Sequence, residues 1–116
     1  MNKKNNKKAA TIKEVLIATR WILENVGWCQ RALFKNKAGE PIFNGRHPSD
    51  IDSACLLGAV WLVESDVDFL KNKTMEFIIT ELNIQYDTMS MSSWNDDPKR
   101  TKNQVLSFLD KIIKEA

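Results

Sequence analysis

A nearly continuous apolar segment in the middle of the chain limits what this protein can fold into. From Ile51 to Val63 most residues are apolar or small, and the apolar ones recur with helical spacing. A helix that is apolar nearly all round lies in the centre of a fold, so other elements must surround it. We therefore predict a central helix over 51–63 that is capped by Ser49 or Asp50.

Gly58 lies in the middle of this predicted helix. A glycine there lowers helix stability by about 1 kcal/mol, which is usually compensated by the close approach of another element. We predict that another helix packs against Gly58, and that Gly58→Leu costs about 1–3 kcal/mol through overpacking.

Three further helices are predicted around the central one. Thr11 and Glu14 form a capping box for a helix over 12–26, which ends with Gly27 in the left-handed conformation. Thr101 and Gln104 form a second capping box for the last helix. A third helix follows a Ser65-Asp66 cap and either continues past residues 71–73 or restarts with Thr74 as its cap. The fold class is therefore mainly α, a compact bundle of about four helices.

Between the first two helices the sequence is compatible with one small β-hairpin. Residues 28–34 fit either a short strand or an irregular turn, and Asn36–Pro41 has turn chemistry. Ile42-Phe43 would be the returning strand, ended by Asn44-Gly45.

The positive charges of the chain are concentrated at its N-terminus. The chain has 17 Lys and Arg against 15 Asp and Glu, and four of the positive charges lie in the first eight residues. We predict a disordered basic tail over 1–10 and a single globular helical domain over 11–116. Nucleic-acid-binding domains carry a basic stripe on the folded body, so no specific nucleic-acid partner is expected. No apolar run reaches the roughly 20 residues of a membrane span, and no signal peptide is evident, so we expect a cytoplasmic protein.

The two cysteines show no metal or redox motif. Cys29 and Cys55 are far apart in the sequence, and the chain contains a single histidine, His47. Cys55 fits a small buried apolar residue, whereas Cys29 is a weak candidate nucleophile that would need His47 as its base. We expect both thiols to be reduced and predict no metal site and no cofactor.

Polar residues that core packing does not require lie in two segments, each beside a tryptophan. Segment 28–31 follows the first helix, and segment 94–100 precedes the last one. Tryptophans offer stacking faces, and arginines offer charge for phosphate or carboxylate groups. We expect both segments to share one side of the molecule as a ligand-binding site, which also includes a residue just before the central helix. The predicted ligand-binding residues are Trp28, Gln30, Arg31, Arg46, Trp94, Asn95, Asp96 and Arg100, and none is predicted to be catalytic.

A purely structural interpretation fits the same residues. Both tryptophans would then pack in the core, and the Asn and Asp side chains would bond backbone groups. Arg100 would pair with Asp96 or Asp97. The ligand-binding interpretation instead predicts that Asn95→Ala and Arg100→Ala impair function and change stability by less than about 1 kcal/mol. Asp52, one turn into the central helix, would need an arginine partner if it were buried.

An ordered set of residues along the chain carries a resemblance. It comprises Trp28-Cys29, Ala32-Leu33, Gly39, Ala54-Cys55 with Gly58-Ala59, and Trp94-Asn95-Asp96 followed by Pro98, Arg100-Thr101 and Val105-Leu106. Over residues 11–115 the chain resembles an uncharacterised family of unknown function, found in short bacterial proteins, many of them actinobacterial, and in phages. One departure is Arg31, where a glycine commonly stands in that family. The resemblance implies a small intracellular bacterial or phage protein and no catalytic residues.

Three classes of function fit these observations. The first is a non-enzymatic module that binds a polar or anionic, nucleotide-like small molecule, such as a phage protein that sequesters a host defence signal. The second is a protein-interaction module, such as a phage inhibitor of a host protein, which would use the exposed loop Met89–Ser93 and the basic tail. The third is a small enzyme that uses His47, Asp52 and Asp96. It is the weakest class, because no pair of these residues has the spacing that acid–base chemistry requires. The sequence leaves a homo-oligomer open.

Overall fold

The computed structural model describes residues 8–42, 50–65, 67 and 69–116. Within these residues the chain forms a small antiparallel sheet against a set of helices, and its strands lie in the order Pro41–Ile42, Phe34–Lys35, Ser53–Ala54. The helices are α1 (Ile12–Asn25), α2 (Leu56–Leu62), α3 (Leu70–Tyr86), α4 (Met91–Asp96) and α5 (Lys102–Glu115), and the strands are β1 (Phe34–Lys35), β2 (Pro41–Ile42) and β3 (Ser53–Ala54). The mainly helical fold and the hairpin are confirmed, while α4 and β3 were not predicted.

The two predicted capping boxes both lie at helix N-termini. At α5, the Thr101 hydroxyl accepts a hydrogen bond from the Gln104 amide, and the Gln104 side chain accepts one from the Thr101 amide. At α1, the Thr11 hydroxyl accepts from the Glu14 amide, but the Glu14 carboxylate accepts from the amide of Ala10 rather than that of Thr11. Local sequence therefore determined where both helices begin.

Helix α1 ends at Asn25, and the chain turns at Gly27 for a different reason than predicted. Gly27 has a φ of +149°, which is not the left-handed helical value. A Cβ atom at this position would lie 2.6 Å from the carbonyl oxygen of Asp52. The glycine therefore allows the residues before β3 to approach the end of α1.

The predicted central helix is shorter than expected, because its first part is a strand. Ser53–Ala54 pairs with Phe34–Lys35, and the amide of Asp52 donates to the carbonyl of Lys35. Cys55, rather than Asp50, caps α2, and Ser49 lies outside the described residues. A short apolar run fits a buried strand and a buried helix equally well, and only the pairing with β1 decides between them. Asp52 is exposed, so it needs no arginine partner.

Gly58 is closely packed, but its neighbour is the sheet and not a helix. A Cβ atom on Gly58 would lie 2.4 Å from the carbonyl oxygen of Leu33 and 3.0 Å from the ring of Phe34. The prediction of a second helix at this point is wrong. The glycine instead lets α2 lie directly against the backbone that leads into β1.

Helix α3 is continuous, so the alternative of a break and restart is wrong. It begins at Leu70 after Phe69, which makes no side-chain capping bond. Thr74 is buried in its second turn and donates its hydroxyl hydrogen to the Leu70 carbonyl at 2.9 Å. The hydroxyl of Ser65 accepts from the amide of Val67 in the preceding turn, and Asp66 lies outside the described residues.

The body of the protein begins earlier than the predicted boundary at residue 11. Ala9 is buried, its amide donates to the Glu64 carbonyl, and it pairs with Ser65 in an isolated parallel bridge. The part of the predicted tail formed by residues 1–7 lies outside the described range. Ala9 therefore packs against the body of the protein, while Lys8 and Ala10 on either side of it are exposed.

Helix α1 is the centre of the helical layer and packs against α2, α3 and α5. Most of the largest fully buried side chains of the core are aliphatic. Its fully buried large side chains include Val15, Leu16, Leu23, Leu56, Val60, Ile78, Leu82, Val105, Leu109 and Ile112. In the parts of the chain described above, no helix combines the length and apolarity that a bilayer crossing requires.

Candidate functional site

The two polar segments predicted from the sequence lie against each other. The second one is partly helical, because residues 91–96 form α4, whose first turn is capped by Ser90. Met89, Ser92 and Ser93 are exposed as predicted, but residues 91–93 are helical rather than a loop, and Met91 is buried. Five hydrogen bonds that involve side chains join segment 28–31 to residues of α4 and the turn after it.

Asn95 is the centre of this contact. Its carboxamide is fully buried, and the oxygen accepts from the indole Nε1 of Trp28 at 2.7 Å and from the amide of Leu56 at 3.0 Å. Its nitrogen donates to the carbonyl of Cys29 at 3.1 Å and to a carboxylate oxygen of Asp96 at 2.9 Å. An amide group can make four such bonds, so the Asn95 side chain has no capacity left for a ligand.

Gln30 and Asp96 complete the same network. The Gln30 side-chain nitrogen donates to the carbonyls of Asn95 and Asp97 at 2.9 and 2.8 Å. Asp96 Oδ1 accepts from the backbone amide of Arg31 at 2.9 Å. The polar residues of both segments therefore bond mainly to each other, as the structural interpretation predicted for the Asn and Asp side chains.

Arg31 occupies a backbone conformation that suits glycine. Its φ is +68°, in the left-handed region, and its side chain is exposed. The Cβ atom of a non-glycine residue makes this conformation unfavourable by about 1–2 kcal/mol. The position at which this chain departs from the family resemblance is thus one where the backbone, through its bond to Asp96, has a defined role.

We expect Arg31→Gly to raise the free energy of unfolding by about 0.5–1 kcal/mol, because it removes the Cβ strain and keeps the amide bond to Asp96. Arg31→Val should lower it by about 1 kcal/mol or more, since a β-branched residue fits this conformation worst. Urea unfolding followed by circular dichroism measures both variants. A lower stability of the glycine variant would mean that the arginine side chain contributes more than its backbone conformation costs.

Trp94 and Arg100 form the second part of the site, which differs in character. Trp94 packs in the core against Phe108 and Tyr86, with ring centroids 5.0 and 5.2 Å apart. Its buried indole nitrogen has no hydrogen-bond partner among the described residues, so Trp94 acts through its ring faces. The Arg100 guanidinium carbon lies 4.3 Å from the centroid of Trp94 and 5.3 Å from that of Tyr86, and its Nε donates to the Trp94 carbonyl at 3.0 Å.

Arg100 therefore does not pair with Asp96 or Asp97. Both ion pairs found in the described part of the chain belong to Arg20, which contacts Glu24 and Asp110. We name the group of Tyr86, Trp94 and Arg100 the aromatic–arginine platform. Tyr86 is the one member of the platform that the sequence analysis missed, because nothing in the sequence places the end of α3 beside the turn before α5.

The remaining candidates do not join this site within the described residues. Arg46 and His47 lie outside those residues, and Asp52 is exposed before β3. The described residues contain no cluster of three or more metal-ligating side chains. The structure therefore gives no geometry for the enzyme hypothesis at His47.

The family of the chain is established by comparison with known proteins. A family model described as "Family of unknown function (DUF6197)" matches residues 7–115. No curated protein and no solved structure matches the chain. The matched region covers both polar segments, the sheet and all the helices. The protein belongs to the DUF6197 family.

Proposed function

We propose that this protein is a non-enzymatic module that binds a small anion carrying a planar ring, of which nucleotides are one class, on the aromatic–arginine platform. The proposal narrows the predicted site. The platform is held by a frame that consists of Trp28, Gln30, Asn95 and Asp96, and the group that contacts the ligand is Arg100.

The position of the Arg100 guanidinium carries this proposal. It is half-buried, its central carbon lies 4.3 and 5.3 Å from the centroids of two aromatic rings, and it is held by the bond from its Nε to the Trp94 carbonyl. Among the described residues, the only partner of its terminal nitrogens is the Gln104 side chain, in a long contact of 3.5 Å. A guanidinium fixed in this way loses little side-chain entropy when it forms two parallel hydrogen bonds to a phosphate or carboxylate.

Tyr86 supports the ring component of the proposed ligand. Its side chain is 44% exposed, and it lies beside the guanidinium of Arg100. Exposed tyrosine rings stack with planar ligands, and a neighbouring cation strengthens the binding of an attached anion. The ligand would thus place its anionic group on Arg100 and its ring over Tyr86.

The test is calorimetric titration of the folded protein with AMP, adenosine and inorganic phosphate. We expect AMP to bind more tightly than either fragment, because only AMP supplies both the ring and the charge. Arg100→Ala should weaken AMP binding about tenfold or more, as expected for the loss of a charged hydrogen bond. Lys99→Ala is the matched control, since it removes an exposed positive charge from the adjacent position, and it should change the affinity about twofold at most.

Arg100 also braces the turn before α5, so stability must be measured separately. Arg100→Lys keeps the charge but loses the planar fork, and we expect it to bind AMP more weakly than the wild-type protein while it remains folded. Equal binding of AMP by the wild-type and Arg100→Ala proteins would reject the platform as the site. Failure of AMP, adenosine and phosphate to bind the wild-type protein would reject this ligand class.

One observation favours the protein-interaction module as a second candidate. Trp61 and Phe69 are 56% and 60% exposed at the facing ends of α2 and α3, whose proximity is shown by the bond from the Lys71 ammonium group to the Trp61 carbonyl. Exposed aromatic residues often dominate binding energy in protein interfaces. Native mass spectrometry of the protein purified from its host separates the two candidates, because it detects either a retained small molecule or a stoichiometric protein partner.

A further inference from the structure

The fold brings the two cysteines to neighbouring positions. The amide of Ala54 donates to the Gly27 carbonyl at 2.9 Å, and the amide of Cys29 donates to the Ala54 carbonyl at 3.0 Å. These bonds pair Trp28 with Ala54 in parallel register. The next residue on one strand is Cys29, and the next on the other is Cys55. Neighbouring strands lie about 4.8 Å apart, which falls within the range of Cα separations that a disulfide spans.

The two cysteine side chains also lie on one face of this pairing. A Cβ atom on Gly27 would lie 3.2 Å from the Cβ atom of Ser53, so positions 27 and 53 face each other, and Cys29 lies two residues after Gly27. Ser53 and Cys55 are two residues apart in extended chain, so their side chains point to the same side. Cys29 and Cys55 are far apart in the sequence, and nothing local indicates that their thiols are neighbours. The register of the strand pairing brings them together.

We propose that Cys29 and Cys55 form a reversible dithiol–disulfide pair that is oxidised by small-molecule disulfides such as oxidised glutathione. One cysteine thiolate attacks a sulfur of the glutathione disulfide, forms a mixed disulfide and releases one glutathione thiolate. The second cysteine, as its thiolate, attacks the protein sulfur of the mixed disulfide and releases the second glutathione. The protein loses two electrons and two protons, and one glutathione disulfide becomes two glutathione thiols.

In the reduced protein each thiol has a partner within its own segment. The Cys29 thiol donates to the carbonyl of Ala32 at 3.6 Å, and the Cys55 sulfur accepts from the amide of Gly58 at 3.3 Å. The two residues are only 8% and 4% exposed, and this burial raises the pKa of both thiols. Oxidation is therefore slow, because it requires local opening and a thiolate. The bond it forms would join segment 28–31 to the start of α2, the same two parts that Asn95 joins.

The test is equilibration of the full chain in buffers of reduced and oxidised glutathione, first folded and then unfolded in urea. Alkylation and peptide mapping measure the fraction with a Cys29–Cys55 bond. We expect the equilibrium constant for disulfide formation to be at least about tenfold larger in the folded protein, because the fold holds the two thiols together. Cys29→Ser and Cys55→Ser should each stop at a mixed disulfide with glutathione.

Two results would overturn the proposal. One is an equilibrium constant that is equal or smaller in the folded protein, which would show that the fold holds the thiols apart. The other is a wild-type folded protein that accumulates only mixed disulfides or bonds between chains. Both results come from the wild-type chain and do not depend on the folding of either serine variant.

Discussion

Asn95→Ala is expected to lower the free energy of unfolding by about 3 kcal/mol or more. The substitution leaves the amide of Leu56 and the carbonyl of Cys29 without their side-chain partner in the interior, and each such group costs about 1–3 kcal/mol. It also removes the acceptor for the indole of Trp28. The prediction from the sequence, less than about 1 kcal/mol, assumed a surface position and is revised here because Asn95 is fully buried.

Urea unfolding measures the effect, with Asn103→Ala as the control because Asn103 is exposed on α5. The control should change stability by less than about 0.5 kcal/mol. Asn95→Asp tests the two donated bonds alone. The new carboxylate can still accept hydrogen bonds, but it faces the Cys29 carbonyl and the Asp96 carboxylate, which repel its negative charge. The variant protein should therefore be less stable in neutral than in mildly acidic buffer. A loss below about 1 kcal/mol for Asn95→Ala would contradict the role of this side chain as the centre of the contact.

Gly58→Ala should also destabilise the protein, by about 1–2 kcal/mol, although alanine is the better helix former. The added Cβ would lie 2.4 Å from the carbonyl oxygen of Leu33, which is backbone and cannot move aside without displacing β1. Overpacking of this kind typically costs about 1–3 kcal/mol, and it must also exceed the gain of about 1 kcal/mol in helix propensity. Gly58→Leu should lose more.

The matched control compares glycine with alanine at Ser107, which is exposed in the middle of α5. The Ser107→Ala protein should be more stable than the Ser107→Gly protein by about 1 kcal/mol, because the two differ there only in helix propensity. The opposite sign at position 58 is the diagnostic result. A Gly58→Ala protein that is as stable as the wild-type protein would show that α2 can move away from the strand.

About half of the candidate site could be predicted from the sequence. Two tryptophan-containing segments rich in polar residues were identified, and their contact was expected because both adjoin helix ends. The role of each residue was less accessible, because whether an asparagine is a ligand group or a buried bonding centre depends on its neighbours. Nothing local to Asn95 indicates that the amide of Leu56 will lie beside it. The pairing expected between Arg100 and a carboxylate was wrong because two aromatic rings, one from a distant helix, lie beneath the guanidinium.

The sequence by itself determined the helices whose ends are set by nearby residues. Thr11 and Thr101 begin α1 and α5 because a hydroxyl three residues before a free amide satisfies it without help from the rest of the chain. The apolar spacing of both helices likewise follows from the geometry of a single helix. The hairpin before residue 43 could be anticipated because its turn residues are contiguous.

Only the tertiary structure decided the features that depend on partners distant in the chain. Ser53–Ala54 is a strand because β1 offers it hydrogen bonds, although its apolar surroundings are equally compatible with a helix. Cys29 and Cys55 become neighbours through the pairing of Trp28 with Ala54. In each case the deciding free energy comes from contacts between residues that are many positions apart. Such contacts cannot be predicted from local propensity or from hydrophobic periodicity.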